Sequence, residues 1–346
     1  GEFHLEEAEE VYGEDNFVLY DDPGPNDIKQ GRCGDCYFLA SLSALAEYPE
    51  RIKRIFRTHQ VNKAGCYAVQ MYINGEKRIV VVDDYFPYDE ERRRGPSPSR
   101  RRRVIKVEEI WVLIIEKAWA KIFGTYQRIE GGSSGEALYP LTGCPMTQFY
   151  HDEITDLDGF GTGSSRLQEE DAHVLLHLQS SGQLGDQEEV VSTGLQDRHA
   201  YSLIKVKVVV TDDCKEHRLI KIRNPYGMKE WNGAWSDKSS LWTVKTREQV
   251  NCEDKEDGCF FINLEDFIKF FTRTTICYYM DECEDNYIVD QHELDSWAMV
   301  KFTLERDNKT PLCLTVDQMS ERFLDRSRDG SYVAPQIRII LTKLKS

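Results

Sequence analysis

Hydrophobic positions recur with a helical spacing in the first half of the chain. Cys36 to Ala46 is apolar on nearly every side and contains neither Gly nor Pro, which predicts a buried helix. Glu109 to Phe123 carries Trp, Ile and Ala residues at helical intervals and predicts a second helix. Between them, Cys66 to Ile73 and Arg78 to Asp83 predict two strands joined by an Asn74-Gly75 turn.

Beyond about residue 150 the pattern changes to short runs rich in Val, Ile and aromatic residues. These runs predict strands at Ala200 to Val210, Leu219 to Ile222 and Cys259 to Ile262. The Gly-rich stretch 159–163 is the expected boundary between the two halves. After Cys283, alternating segments predict the opening strands of an incomplete β-sandwich, at 298–304, 312–316 and 336–341. The fold class is therefore α+β, with domains at 1–155, 156–282 and 283–346.

Composition narrows the functional classes. The chain has 346 residues and a formal net charge of −16, which disfavours nucleic acid as a partner and leaves carboxylates available for hard cations. It contains neither an apolar run of about 20 residues nor an N-terminal signal pattern, so no transmembrane segment is expected. Ten cysteines without the dense spacing of a disulfide framework favour a reducing, cytoplasmic location.

One basic segment opposes the acidic trend. Residues 92–103 combine seven arginines with Gly, Pro and Ser, a composition typical of an exposed loop. Two interpretations stay open at this point: a solvated insertion, or a docking or phosphorylation site at Ser97.

The candidate chemistry begins with Cys36, at the first turn of the first predicted helix. Unpaired N–H groups at a helix N-terminus stabilise a thiolate, which predicts a lowered pKa and a nucleophile. His199 and Asn224 lie on strands that a hairpin at Thr211-Asp212-Asp213 would pair, making the two residues direct cross-strand neighbours. Asn224 would then hold the imidazole of His199 in position.

Gln30 completes this set of candidates. It lies six residues before Cys36, and its side-chain amide together with the backbone N–H of Cys36 would make a two-donor oxyanion hole. The other nine cysteines have no comparable signal and are interpreted as small apolar side chains.

These residues fall in segments that together resemble the calpain family of cysteine proteases. The resemblance covers roughly residues 16 to 280 and rests on several motifs in the expected order: Gln30-Gly31-Arg32-Cys33-Gly34-Asp35-Cys36-Tyr37-Phe38-Leu39-Ala40, Glu116-Lys117-Ala118-Trp119-Ala120-Lys121, Gly194-Leu195 with His199-Ala200-Tyr201-Ser202, Arg223-Asn224-Pro225, and Glu230-Trp231-Asn232-Gly233. It implies a two-lobed papain-like protease core followed by the calpain β-sandwich. The implied activity is intracellular endopeptidase cleavage of protein substrates at a limited number of sites.

The resemblance also implies two calcium ions in the protease core, one in each lobe. The positions matching the family's ligands in the first lobe are Asp27 and Glu136, with backbone carbonyls at Tyr20 and Asp22. Those in the second lobe are Glu230, Asp237 and Asp257, while Cys259 stands where some relatives supply a further carboxylate. Carboxylate and carbonyl oxygens are the ligands that calcium prefers. Tyr226 is the expected aromatic residue that leaves the cleft on activation.

Several residues depart from the family pattern. Calpains usually carry Leu at Cys33, Trp at Tyr37, Gly at Arg198 and Trp at Tyr226. Arg198 resembles the small-optic-lobe branch, which also places Arg before its histidine. No regulatory small subunit is expected. Two alternatives to an active protease stay open: a Cys–His acyltransferase, which generally uses Asp as third residue, and an inactive scaffold of the same fold.

Overall fold

The structure is a computed structural model that describes residues 4–13, 16–31, 33–88, 108–154, 174–180, 192–280 and 316. Its architecture is mixed α+β, as expected. The arginine-rich segment 92–103, the Gly-rich boundary 159–163 and the strands predicted after Cys283 lie outside the described residues, apart from Val316. The domain boundaries therefore stay predictions.

The described residues form seven α-helices, three short 3-10 helices and twelve strands. The helices are α1 (Ala8–Tyr12), α2 (Cys36–Ala46), α3 (Pro49–Ile55), α4 (Trp111–Phe123), α5 (Ser134–Thr142), α6 (Val244–Val250) and α7 (Leu264–Phe270). The strands are β1 (His4–Glu7), β2 (Phe17–Val18), β3 (Cys66–Ile73), β4 (Glu76–Asp83), β5 (Tyr85–Tyr88), β6 (Glu108–Glu109), β7 (Met146–Tyr150), β8 (Val174–Ser180), β9 (Ala200–Val210), β10 (Glu216–Arg223), β11 (Cys259–Asn263) and β12 (Phe271–Tyr278).

The helices α2 and α4 form the centre of what we call the helical region, the described residues from 4 to 142. The predicted bounds of α2 are confirmed, and every residue of this helix after Cys36 is buried. Helix α4 begins two residues later than predicted because Glu108–Glu109 pairs in parallel with Phe17–Val18. The ring of Phe38 in α2 stacks on Trp119 in α4, at 5.1 Å between centroids. Aromatic packing of this kind fixes the two helices against each other.

The β3–β4 hairpin confirms the predicted Asn-Gly turn. Its register runs from Cys66 opposite Asp83 to Ile73 opposite Glu76. Asn74 and Gly75 have φ angles of 51° and 81°. Both angles are positive, as a two-residue turn matched to the twist of its strands requires.

The residues from 146 to 280 that are described form the sheet region. Its six-stranded sheet has the order β11-β10-β9-β8-β12-β7, and each neighbouring pair is antiparallel. Strand β7 belongs to this sheet although it precedes the expected boundary at 159–163. A separate hydrophobic cluster covers the sheet and includes Tyr201, Trp231 and Phe260.

The two regions meet where α2 packs against β9. The hydroxyl of Ser202 in β9 donates a hydrogen bond of 2.7 Å to the carbonyl of Ala40 in α2. Ala200, Cys277 and Tyr279 of the sheet region are part of the helical region's core. This contact places the first residue of α2, Cys36, close to the first residue of β9, Ala200.

The elements that the sequence did not predict are mostly short or irregular. Helices α3, α6 and α7 have seven residues each, and α5 contains Pro140. Such helices owe their stability to tertiary packing more than to a clear repeat in sequence. No helix in the described part of the chain has the length and apolar character needed to cross a membrane.

Candidate active site

Cys36 is the first residue of α2, as predicted, and its side chain is half-buried. The predicted direction of its pKa is wrong. Burial raises the pKa of the thiol and outweighs the backbone N–H groups of Ala200, Tyr37 and Cys36, which lower it; the negative charge of Asp35 raises it further. Desolvation disfavours the thiolate more than the helix terminus favours it. In this structure the resting thiol is therefore protonated at neutral pH.

His199 immediately precedes β9 and is almost fully buried, with 4% of its surface exposed. Its ring lies between two tyrosines. Tyr226 stacks on one face at 4.7 Å between centroids and 12° between planes, and Tyr201 meets the ring edge-on at 4.9 Å. Burial lowers the pKa of His199 to about 4, with the hydrogen bond to Asn224 opposing and Lys229 adding to the decrease. The imidazole is therefore neutral at physiological pH.

Asn224 is fully hydrogen-bonded and holds His199 in one orientation. Its Nδ2 donates to the carbonyls of Met228 at 2.9 Å and Lys229 at 3.0 Å, so its Oδ1 must face the histidine. That Oδ1 lies 2.9 Å from Nε2 of His199 and also accepts the backbone N–H of Tyr226. Because an amide oxygen can only accept, Nε2 carries the proton and Nδ1 keeps its lone pair.

The register predicted for these two residues is wrong, although their contact exists. Strand β9 pairs with β10 from Val210 opposite Glu216 to Ser202 opposite Arg223, with an irregularity after Lys221. The turn spans residues 211–215 and is closed by the backbone N–H of Thr211 bonding to the carbonyl of Lys215. This longer turn shifts the centre of the hairpin to residue 213. His199 and Asn224 consequently lie just beyond the paired strands and meet diagonally.

Gln30 is buried beside the nucleophile's loop. Its Nε2 donates to the carbonyl of Cys33 at 2.9 Å, and its Oε1 meets no hydrogen-bond donor. Its backbone N–H donates to the carbonyl of Pro225, which follows Asn224. The segment before Cys36 is thus tied to the segment that orients His199. A primary amide has two N–H groups, so one donor of Gln30 is not used by Cys33.

The residues predicted to bind the first calcium ion offer oxygen atoms, and two of these atoms lie close to the same point beside Gly24. A Cβ added at Gly24 would lie 3.8 Å from the carbonyl oxygen of Asp22 and 3.9 Å from Oδ2 of Asp27. That Oδ2 accepts N–H groups from Gly24 and from the indole of Trp111. Glu136 accepts the backbone N–H of Ser133 in a capping box. The ligand predicted at Tyr20 is its backbone carbonyl, and its hydroxyl bonds to His59.

The second predicted site gathers three carboxylates in the loops beside β11. Oε1 of Glu230 accepts the backbone N–H of Gly258 at 2.7 Å. Burial and, to a smaller extent, the charge of Asp257 raise the pKa of Glu230 to about 7 and that of Asp237 to about 6. The three carboxylates therefore feel one another's charge. Across the described residues, however, these acids do not form a group of three with all ligand atoms within 4.8 Å.

A third cluster of side chains that could bind a metal ion was not predicted from the sequence. Sγ of Cys33 and one carboxyl oxygen each of Asp35 and Glu116 lie within 4.8 Å of one another. A signal was available, because Glu116 is a carboxylate on the otherwise apolar part of α4. The interpretation of the cysteines as scattered also overlooked that Cys33 and Cys36 stand three residues apart, in a C-x-x-C pattern. All eight cysteines in the described residues are free thiols.

Comparison with known proteins agrees with this geometry. Residues 4–278 match the family model described as calpain family cysteine protease. The chain is 34% identical over 265 residues to the calpain-type cysteine protease DEK1 of Arabidopsis thaliana, covering 74% of this chain and 12% of that protein. It is 32% identical over 283 residues to the calpain-1 catalytic subunit of Bos taurus, covering 78% of this chain and 37% of that protein.

The chain thus spans well under two thirds of the length of the relatives it matches. It is also 32% identical over 276 residues to human calpain-12, covering 78% of this chain and 36% of that protein. A family match over most of the chain, with a cysteine at a helix N-terminus and a histidine held by an asparagine, leads to one assignment. The chain belongs to the calpain family of cysteine proteases.

Proposed function

We propose that this chain is a calcium-dependent endopeptidase that makes limited cleavages in protein substrates through Cys36, His199 and Asn224. The observation that supports the proposal most is the arrangement of His199. Asn224 fixes the proton on Nε2 of the imidazole, which leaves the lone pair of Nδ1 to act as a base. The backbone N–H of the next residue, Ala200, faces the thiol of Cys36.

The proposed reaction begins when Sγ of Cys36 attacks the carbonyl carbon of the scissile bond and its proton passes to Nδ1 of His199. Asn224 accepts a hydrogen bond from the resulting imidazolium at Nε2. The carbonyl oxygen, now negative, accepts hydrogen bonds from the backbone N–H of Cys36 and from Gln30. His199 then gives its proton to the leaving amine, and water hydrolyses the acyl-enzyme.

The resting site has to rearrange before this reaction can occur. Both the thiol and the imidazole are neutral, and burial is the main cause in each case. Tyr226 covers one face of His199, and burial first and Cys36 second raise the pKa of its phenol, so this ring adjoins both reactive groups. Displacing Tyr226 would hydrate the pair, lower the pKa of the thiol and raise that of the imidazole.

The residues at the two expected positions supply the carboxylate and carbonyl oxygens that calcium prefers. Asp27, Glu136 and the carbonyls of Tyr20 and Asp22 would hold one ion, and Glu230, Asp237 and Asp257 the other. When bound, calcium would neutralise these carboxylates and draw their loops together. Several of these oxygens now accept backbone N–H groups, so the loops would have to exchange those bonds for the ion.

The finer assignments belong to the same proposal. Arg198 before the histidine supports the small-optic-lobe branch, and a cytoplasmic location and protein substrates follow from the proposed activity. One observation supports the alternative of an inactive scaffold, namely that the resting pair is neutral and partly covered by Tyr226. Activity measurements distinguish the two.

The first experiment measures cleavage of casein in calcium by the wild type and two serine variants. We expect Cys36→Ser to lose activity on the order of 10⁴-fold or more, because a hydroxyl is a much weaker nucleophile at neutral pH. Cys66→Ser is the matched control, since Cys66 is an exposed cysteine at the start of β3. Comparable activity in Cys36→Ser and the wild type would refute the assignment, and an inactive wild type that binds calcium would favour the scaffold.

The second experiment titrates calcium while following alkylation of Cys36 by iodoacetamide and heat of binding by calorimetry. Glu136→Ala and Asp237→Ala should each raise the calcium concentration needed for rapid alkylation. Asp213→Ala, in the exposed turn between β9 and β10, should leave it unchanged. Full activity of the wild type in excess chelator would refute calcium dependence and leave the protease assignment standing.

A further inference from the structure

Asp35 and Glu116 bring two buried carboxyl groups together next to the first turn of α2. Their relative exposures are 0% and 2%. Neither carboxyl oxygen of Asp35, nor Oε1 of Glu116, meets a hydrogen-bond donor from the rest of the protein. Two carboxylates this close cannot both be ionised without a large penalty, so the pair holds a proton between them. The hydrogen bond between the two side chains is therefore one from a carboxylic acid to a carboxylate.

Asp35 also stands at the N-cap of α2, where an aspartate normally has another role. Its side chain usually accepts the N–H of the second or third helical residue. Here it makes no such bond, and only its backbone carbonyl is used, by the N–H groups of Phe38 and Leu39. The N–H groups of Cys36 and Tyr37 instead face the sulfur of Cys36. Of the two donors that a capping aspartate would compete for, the N–H of Tyr37 is thus directed to the reactive atom.

We infer that Glu116 is a positioning residue for Cys36 that acts through Asp35, by holding the Asp35 carboxyl group away from the first turn of α2. The first-turn N–H groups then remain available to the sulfur and to the carbonyl oxygen of the substrate. This inference rests on the proposed role of Cys36 as nucleophile. Glu116, which lies in α4, thereby affects the reaction at the start of α2.

The pair also sets the charge beside Cys36. Burial first, and the charge of Asp35 second, raise the pKa of Glu116, so Glu116 carries the proton over a wide pH range. The remaining negative charge therefore lies on Asp35, where the bond from Glu116 stabilises it and where it raises the pKa of Cys36. The other titratable groups that face the pair are Cys33, Tyr126 and Glu130. Burial raises the pKa values of Cys33 and Tyr126, so both are neutral at physiological pH.

The test is a double-mutant cycle that combines Glu116→Ala with Asp35→Ala. For each variant the alkylation rate of Cys36 is measured against pH, together with kcat, KM and the melting temperature. Glu116→Ala alone should free the Asp35 side chain to accept first-turn N–H groups of α2, move the alkylation midpoint up by about one pH unit and lower kcat about tenfold with little change in KM. In the Asp35→Ala background the same substitution should change both by less than about twofold.

Two further variants keep the test independent of folding. Glu116→Gln keeps an N–H donor for the Asp35 carboxylate, and Glu116→Gln combined with Asp35→Asn replaces the shared proton by an amide–amide bond, so both should have a pH profile close to wild type. Asp84→Asn is the matched control, because Asp84 is also buried with an oxygen that has no donor. It should lower the melting temperature without moving the pH profile.

Two results would overturn the inference. One is that Glu116→Ala harms kcat equally with and without Asp35, and the other is that it lowers only the melting temperature, as Asp84→Asn does. The alkylation profile reports on the thiol whether or not the chain cleaves protein. Failure of the proposed function, seen as proteolysis by Cys36→Ser, is thereby distinguishable from failure of this inference.

Discussion

The two halves of the candidate site differ in how completely their polar groups are satisfied. In the sheet region, Asn224 uses its oxygen for two donors and its nitrogen for two carbonyls. In the helical region, Gln30 has a carbonyl oxygen with no donor, and the carboxyl groups of Asp35 and Glu116 satisfy only each other. The half of the site in the sheet region is therefore hydrogen-bonded before substrate binds, whereas the half in the helical region contains polar atoms that can accept further hydrogen bonds.

This difference indicates which half of the site has to change on activation. Orienting the base needs no further bonds, since His199 already has its proton on Nε2. The nucleophile side holds a neutral thiol and an oxyanion donor, Gln30, that now bonds to Cys33. Buried polar groups without partners are costly and persist only where other structure compensates. We therefore expect activation to change the helical region and its contact with Tyr226 more than the His199–Asn224 pair.

The largest expected contrast comes from truncating one residue of each half. Asn224→Ala should lower kcat roughly tenfold to a hundredfold, less than His199→Ala, because orienting the base contributes less than supplying it. It should also destabilise the fold by about 1–2 kcal/mol, since the N–H of Tyr226 and the carbonyls of Met228 and Lys229 lose their hydrogen-bond partner. Chemical denaturation and single-turnover cleavage measure the two effects.

Gln30→Ala is the matched substitution in the other half. It should lower kcat through loss of an oxyanion donor, on the order of a hundredfold, while changing stability by less than about 1 kcal/mol. The small stability effect follows because the truncation also removes a buried oxygen that has no donor. The comparison fails if Gln30→Ala destabilises the protein as much as Asn224→Ala does.

Acid should destabilise the protein through its buried histidines. Burial lowers the pKa of both His199 and His151 to about 4, whereas an unfolded histidine titrates near 6.5. Between these values the unfolded chain binds more protons, so stability is complete above about pH 6.5 and falls as the pH decreases toward 4. Each histidine contributes at most about 3 kcal/mol to this loss.

His151→Asn separates the two contributions. His151 bonds to the carbonyl of Phe271 and to the hydroxyl of Thr274, outside the candidate site. Between pH 7 and 4 the variant should lose up to about 3 kcal/mol less stability than the wild type in urea titrations, with unchanged alkylation of Cys36. An acid sensitivity equal to that of the wild type would show that His151 is already protonated in the fold.

The sequence predicted the elements whose periodicity is strong and local. Helix α2, the β3–β4 hairpin and strand β9 have the predicted bounds or differ by two residues at most. The triad candidates were found by residue type and by resemblance, and the structure brings His199 and Asn224 into contact. Those signals depend on neighbours in sequence, which is why a single chain could reveal them.

Features set by tertiary burial could not be predicted in the same way. Helix-terminus N–H groups do lower the pKa of Cys36, but only the fold shows that burial outweighs them. The hairpin register depended on a five-residue turn in which Cys214 has a φ of 60°, a conformation that its residue type does not signal. The Asp35–Glu116 contact joins residues on two different helices, and no local pattern links them.

The smallest expected effect concerns backbone strain beside the histidine. Arg198 has a φ of 49°, in the left-handed region that favours glycine, and its side chain is 76% exposed with a 3.7 Å contact to Asp197. A side chain in this conformation costs roughly 1–2 kcal/mol, while glycine loses about 0.5–1 kcal/mol more chain entropy on folding. Arg198→Gly should therefore stabilise the protein by up to about 1 kcal/mol, since the exposed ion pair contributes little. Arg198→Ala keeps the Cβ and the strain, so it should give no gain. Thermal unfolding of the two variants measures the strain energy at residue 198. If Arg198→Ala proved as stabilising as Arg198→Gly, the backbone at this residue would not be strained.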